Sequence, residues 1–187
     1  MNINEFTKAP GHWILARMGK RVLRPGGKEL TEQLIKELNI SPNDDIVEYA
    51  PGLGFTAGIA LRNNPKSYVG VDADEDVINL LQNKIIQNNV QFILRNASDT
   101  KLDSESKDKL YAEAMLTMHA DHQKSDIIKE ANRILKKGGI YAIHEIGLLE
   151  VDDNLKNAIQ KELSTTIRVN ARPLTIKEWT ELLENNG

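Results

Sequence analysis

The 187-residue sequence contains no cysteine. Disulfides and thiolate metal sites are therefore excluded, and the chain suits a reducing, cytoplasmic setting. No apolar run reaches the length needed to cross a bilayer, and the N-terminus lacks the pattern of a signal peptide. Strong charge of one sign is also missing. The 24 Lys and Arg residues face 27 Asp and Glu, a net of −3, so bulk charge does not point to nucleic acid. There is no internal repeat, no low-complexity tract, and no cluster that reads as a metal site. What is there is ordinary for one α/β domain with a sizeable core: 40% apolar and 27% charged residues.

The charge is unevenly placed. Within residues 1–30, Lys8, Arg17, Lys20, Arg21, Arg24 and Lys28 stand against Glu5 and Glu29, a net of +4 that leaves −7 on the remainder. A basic leading segment on an acidic body can receive an anionic substrate; it can equally be a solvated helix face docked on an acidic domain. That segment mixes His12, Trp13, Ile14, Leu15 and Met18 with its cations and closes at Pro25-Gly26-Gly27. We read a helix or two within residues 1–27, ahead of a core of 28–187.

The core alternates strand and helix patterns. Leu30, Leu34, Ile35 and Leu38 predict a helix over about 28–39. Strands are expected at 46–49, 68–71, 90–94, 110–116 and 140–143. Helices are expected from the glycines near 52 to about 62, around Val77–Ile85, and over Ile127–Leu135, the last stopping at Lys136-Lys-Gly-Gly139 where cations and glycine favour a C-terminus. A helix carrying Leu155, Ala158, Ile159 and Leu163 follows, then one opened by the capping box Thr175-Ile-Lys-Glu178. Such alternation implies a mostly parallel sheet wound on both faces, a Rossmann-like α/β fold, with its ligand at the C-terminal ends of the strands.

Four segments converge there: Glu48–Gly54, Asp72, Asn96–Asp99 and Met115–His119. In Asp45-Ile-Val-Glu-Tyr-Ala-Pro-Gly-Leu-Gly54 a short apolar run carries an acid and breaks into a glycine turn. Glycines let backbone approach a nucleotide closely, and an acid about 20 residues on, Asp72, suits ribose hydroxyls. Gly52-x-Gly54-x-x-Ala57 also fits a dinucleotide fingerprint. Two features argue against NAD. Glu48, four residues before Gly52, suits an ammonium group better than a pyrophosphate, and Pro51 removes an amide that a phosphate would use.

These residues bring the chain close to a known family. Val47-Glu-Tyr-Ala-Pro-Gly-Leu-Gly54 resembles the first motif of the class I S-adenosylmethionine-dependent methyltransferases, and Gly70-Val-Asp72 resembles their second-strand acid. Asn96-Ala-Ser-Asp99 is similar to the adenine-flanking segment after strand three. Arg133-Ile-Leu-Lys-Lys-Gly-Gly139 resembles the element before strand five, with Lys137 in place of a proline. The resemblance implies that Glu48 and the backbone of Ala50, Pro51, Gly52 and Gly54 hold the methionine part of the cofactor. It also implies that Asp72 takes the ribose, that Ala73, Ala97 and Ser98 flank the adenine, with Asp99 on its amino group, and that Met115 lines the floor below the sulfonium. The family's sixth and seventh strands form an antiparallel hairpin; the chain stops at Glu184-Asn-Asn-Gly187, where the sixth would begin, so these strands are expected to be missing, leaving a sheet edge where a second copy could pair.

Methyl transfer is a one-step displacement that mainly needs alignment and water exclusion. If the acceptor must lose a proton, His119 after strand four is the first candidate base, with His12, His122 and His144 as others. The resemblance implies that residues 1–27 form a helical lid over the acceptor; there Trp13, Arg17 and Arg21 share a helical face and, with His144, suit a small acceptor, an anionic one agreeing with the arginines, and Arg168 and Arg172 could add anion contacts. No Asn/Asp-Pro-Pro-aromatic motif follows strand four, which lowers the prospect of a nucleic-acid base as acceptor. The alternatives are an NAD-dependent oxidoreductase, which would want a Tyr-x-x-x-Lys relay not found in the strand-four-to-five region, and a non-catalytic module that keeps the cofactor fold.

Overall fold

In the computed structural model, which describes residues 26–187, the sheet is organised around a central strand, β1 (Asp45–Tyr49). Its inner residues are all buried, and successive side chains serve opposite faces. Ile46 joins an apolar cluster with Tyr68, Phe92 and Tyr111, while Val47 and Tyr49 join another with Val69, Val71, Leu110 and Ala112. A strand buried on both sides must be covered on both sides, and the helices do this.

On the first face lie α1 (Gly27–Leu38), α2 (Phe55–Ala60) and α3 (Glu75–Lys84), which supply Ile35, Leu38, Ala57, Val77, Ile78 and Leu81 to the first cluster. On the second face α4 (Asp121–Ile134) brings Ile127, Ala131 and Ile134, and Trp179 comes from the C-terminal helix α6 (Ile176–Glu184). The five main strands are all parallel, in the order β3-β2-β1-β4-β5, with β2 at Ser67–Asp72, β3 at Val90–Leu94, β4 at Lys107–Glu113 and β5 at Leu135–His144. Strand order reverses beside β1, which places the crevice for a ligand at the C-terminal ends of β1 and β4.

Among the described residues every pairing of the named strands is parallel. Two further short strands, β6 (Gly147–Leu148) and β7 (Leu174–Thr175), pair parallel to each other in a separate small sheet. Between them runs α5 (Asp153–Ile167), none of whose residues is fully buried. The capping box is present: Thr175 Oγ1 accepts from Glu178 N at 3.2 Å, and Glu178 Oε2 accepts from Thr175 N at 2.8 Å.

Three boundaries differ from the sequence expectation. Strand four starts earlier and ends at Glu113, because Ala114 turns into the left-handed region (φ 50) and Leu116–Met118 forms a 3₁₀ turn. The helix expected to reach Lys136 ends at Ile134, and Lys136–Gly139 belong to β5. Lys136 is drawn into the strand by ion pairs with Asp108 at 2.8 Å and Asp45 at 3.4 Å. The helix after the glycine turn ends at Ala60 and continues as a 3₁₀ turn, Leu61–Asn63. The N-terminal ends of the strands thus carry a lattice of charges. Asp45 also meets Lys66 at 2.8 Å, and Asp44 meets Lys109 at 2.7 Å, away from the opposite end where the loops gather.

Candidate functional site

At the C-terminal end of β1 the chain makes its tightest sequence of turns. Ala50, Gly52 and Gly54 all have positive φ (51, 53 and 74). Ala50 N donates to Val71 O at 2.8 Å, and Gly54 N donates to Pro51 O at 2.9 Å, so the loop is anchored before α2 begins. Gly70 serves the same loop from the neighbouring strand. A Cβ there would lie 2.5 Å from Phe92 Cδ1 and 3.3 Å from Pro51 Cγ, so its absence lets buried Pro51 settle onto β2.

Glu48 is 4% exposed, and its Oε2 accepts hydrogen bonds from Tyr68 at 2.5 Å and Tyr111 at 2.7 Å. A buried carboxylate needs such donors, and two flanking strands supply them from the same face. Burial and the adjoining Glu48 charge push both phenols well above their ordinary range.

Asp72 ends β2 beside the glycine loop. Burial raises its carboxyl above the usual range and the Asp74 charge adds to this, against hydrogen bonds from the amides of Asp74, Gly52 and Ala73. The bond from Asp74 N measures 3.0 Å. Capping of α3 falls to Asp74, which accepts from Asp76 N and Val77 N, so Asp72 is not the cap of that helix. A partly buried carboxylate whose ionised form is disfavoured gains from further donors, as a pair of ligand hydroxyls would provide.

Beyond Asp72 an open cleft of about 440 Å³ is lined by Ala73, Leu94, Arg95, Asn96, Asp99 and Lys101. Exposed Ala73 forms one side. Ser98 donates to Asn96 Oδ1 through both its amide (3.0 Å) and its hydroxyl (2.9 Å), shaping the turn, while Asp99 pairs with Lys101 at 2.8 Å. Ala97 packs against the second apolar cluster, on the inner side of that turn.

Past β4, Met115 is buried in the second cluster, under the crevice. The segment after it is clamped by Glu145. One carboxylate oxygen accepts from the amides of Met115 (2.9 Å) and Leu116 (2.8 Å), the other from the Thr117 amide (3.0 Å) and hydroxyl (2.6 Å). His119 follows, its Nδ1 lying 2.9 Å from Met115 O. Beside it Lys124, fully buried, is held by Asp121 Oδ1 and Arg172 O, both at 2.9 Å, over the Trp179 ring. Burial depresses the Lys124 ammonium against the pull of Asp121. Arg172 pairs with Asp121 at 3.1 Å instead of standing ready for an anion, and Arg168 caps the end of α5 in a left-handed conformation. His122 lies exposed in the first turn of α4.

His144 ends β5, its Nδ1 2.9 Å from Glu113 Oε1 at the end of β4. Glu113 also accepts from Thr31 of α1 at 2.9 Å and from Thr56 of α2 at 2.6 Å. Sequence reasoning did not single out Glu113, Thr31, Thr56, Tyr68 or Tyr111. An acid closing strand four opposite a histidine closing strand five is the signal that was available. Trp13, Arg17, Arg21, His12 and the lid lie outside the described residues. Among the described residues no group of three or more His, Asp or Glu side chains forms a metal site, and no helix is long and apolar enough to cross a membrane.

Comparison with known proteins agrees with this geometry. A family model described as "Methyltransferase domain" matches residues 47–143. An "Uncharacterized protein" of Haemophilus influenzae is 34% identical over 182 residues, which span 95% of this chain and 71% of that protein. "Methyltransferase GfsG" of Streptomyces halstedii is 24% identical over 171 residues, 88% of this chain and 60% of that one. Among solved structures, a geranyl diphosphate C-methyltransferase from Streptomyces coelicolor, in complex with Mg²⁺, geranyl diphosphate and S-adenosyl-L-homocysteine, superposes with a TM-score of 0.68 at 21% identity, covering 84% of this chain and 58% of that one.

Proposed function

Because this chain belongs to the class I S-adenosylmethionine-dependent methyltransferases, with the family's domain over residues 47–143, we propose that the whole protein moves a methyl group from S-adenosylmethionine to a small-molecule acceptor. The observation that carries the cofactor assignment is the grouping at the C-terminal edge of the sheet. The glycine turn, with Gly52 and Gly54 at positive φ, follows β1, Asp72 ends the neighbouring β2, and a cleft lined by Ala73, Leu94, Arg95, Asn96, Asp99 and Lys101 lies just beyond it.

On this reading Glu48 and the Ala50–Gly54 backbone, with Pro51, surround the methionine portion. Asp72 receives the ribose hydroxyls. Ala73, Ala97 and Ser98 flank the adenine, and Met115 supports the floor. When bound, the cofactor supplies an electrophilic methyl group; the protein's share is to position the acceptor and keep water out. For residues 1–27, of which only Gly26 and Gly27 lie among the described residues, we propose the part of a lid over a core of 28–187. The lid's Trp13, Arg17 and Arg21 meet the acceptor together with His144, and their charge favours an anionic one. For an acceptor whose proton leaves early, His119 or His144 takes it. A cytoplasmic location is part of the same proposal and agrees with the lack of cysteine, and β5, at one end of the sheet order, offers backbone for pairing with a second copy.

Calorimetric titration with S-adenosylmethionine, S-adenosylhomocysteine and NAD, on the native chain and on Asp72→Ala, tests the cofactor assignment. Binding of the first two, weakened about 10- to 100-fold by the substitution, is expected from the loss of charge-assisted hydrogen bonds. Binding of NAD alone would overturn it. Transfer of labelled methyl to a set of small anionic acceptors then separates an enzyme from a module that only binds.

A further inference from the structure

We propose that His144 is the proton acceptor for the methylated group and faces the cofactor's sulfonium, with Glu113 as the residue that positions it. The inference rests on the cofactor assignment above and deepens it.

The geometry is that of a histidine prepared for base chemistry. Glu113 binds the imidazole at Nδ1, which leaves Nε2 as the basic nitrogen. Glu113 itself is fixed from two helices. Thr31 donates to one oxygen and Thr56, in the first turn after the glycine loop, donates to the other. The side chains are 5% exposed for Glu113 and 14% for His144, so the pair is shielded from bulk water. It is tied through Thr56 to the very loop that would carry the methionine end. His119 lacks this support: its Nδ1 meets a neutral backbone carbonyl, which balances an imidazolium less well than a carboxylate does.

The step balances simply. A lone pair on the acceptor's oxygen or nitrogen forms the new bond to the methyl carbon. The carbon–sulfur bond breaks and its electron pair stays on sulfur, giving neutral S-adenosylhomocysteine. The acceptor's proton passes to Nε2 of His144, and the imidazolium is neutralised by Glu113 until the proton leaves to solvent.

Among the described residues, several charged and titratable groups surround the pair. Below the pair on the same face are Tyr111 from β4 and Glu48 from β1. From α1, Thr31 reaches the pair, while Lys28 and Glu32 pair with each other at 3.4 Å and are largely exposed. Glu145, the next residue, bonds the amides of Met115–Thr117. On the opposite face α4 contributes Lys124, bonded to Asp121, together with Glu130 and Arg133, bonded to each other.

S-adenosylmethionine and S-adenosylhomocysteine differ in charge at the sulfur, so the ratio of their dissociation constants reports charge near that atom without any acceptor present. Calorimetry is run on the full chain, His144→Gln, His144→Asn and Glu113→Gln across about pH 5.5–8, where imidazoles ordinarily titrate. Protonated His144 repels the sulfonium but not the neutral sulfide. The ratio, methionine form over homocysteine form, is therefore expected to fall about three- to ten-fold as pH rises in the native chain, and to be flat in both histidine variants. In Glu113→Gln the inflection should move to lower pH, because the amide cannot balance an imidazolium; a purely packing role would leave it in place. Nitrogen-detected NMR of the native imidazole must show the same inflection, which keeps the test decisive even if the variants fail to fold. A flat ratio in the native chain, or a slope that survives in the histidine variants, overturns the proposal. Absence of binding by either ligand overturns the cofactor assignment, and this inference with it.

Discussion

Gly54 is constrained twice over. Its φ of +74 is one that side-chain-bearing residues rarely adopt, and a Cβ would lie 2.6 Å from Leu81 Cδ2. Gly58, four residues on in α2, is exposed and has open space around it. We expect Gly54→Ala to cost about 1–3 kcal/mol in urea unfolding and to weaken cofactor binding, while Gly58→Ala is neutral or gains up to about 1 kcal/mol. Equal effects of the two would mean that helix propensity, not the turn, governs the position. The sequence made this turn legible because glycine announces a left-handed backbone. It did not reveal that Ala50 adopts one too (φ 51), since alanine carries no such signal. The Glu113 network was hidden for another reason: its threonine partners sit 82 and 57 residues away in the chain, beyond the reach of any local pattern.

The elements tell a similar story at their ends. Strand three was readable in full from its apolar run, Val90–Leu94. Strand four was displaced toward its C-terminus because Lys107 and Lys109 look like loop residues. Their place in the strand comes from the carboxylates gathered at that edge, Lys109 pairing with Asp44 and with Asn39 O at 2.6 Å. Glu145 accounts for the other end, where its carboxylate gathers three consecutive amides and a hydroxyl after Ala114. Removing it strands those donors, and Glu145→Ala is expected to lower stability by about 2–4 kcal/mol. Faster amide exchange at Met115, Leu116 and Thr117 should accompany that loss; unchanged protection there would show that the turn holds without the clamp. The helix boundary near Lys136 was misread for the same cause as strand four, since cations that suit a helix end suit a strand equally well when Asp108 and Asp45 wait beside it.

Across the whole molecule, the titration of four acids points one way. Burial pushes the Asp45 carboxyl up, but hydrogen bonds from Lys66 and Ser67 outweigh it and bring it down to about 2. For Glu130, burial is likewise outweighed by Arg133 and Thr100, again to about 2. Asp44 and Glu178 are also lowered against burial, by hydrogen bonds from Lys109 and Lys156 respectively. Depressed carboxyls stabilise the fold above their unfolded values and lose that contribution as pH falls through the folded ones. The urea midpoint should therefore decline between about pH 5 and pH 2, and Glu130→Gln should make that decline shallower. A midpoint independent of pH over this range would contradict the ion network's role. The separation of charged and ligand-binding ends also bears on how the chain reaches its native state. Partners on β1 and β2, such as Asp45 and Ser67, are 22 residues apart, whereas Glu48 on β1 and Tyr111 on β4 are 63 apart. Closing the longer loop costs more entropy, so β1-β2-β3 is favoured to assemble before β4 and β5 dock. The glycine turn and Asp72 lie on one side of that seam, Glu113, Met115 and His144 on the other. The crevice is thus completed only with the last docking event, and a ligand that spans it acts as a rivet between two halves of the folding pathway.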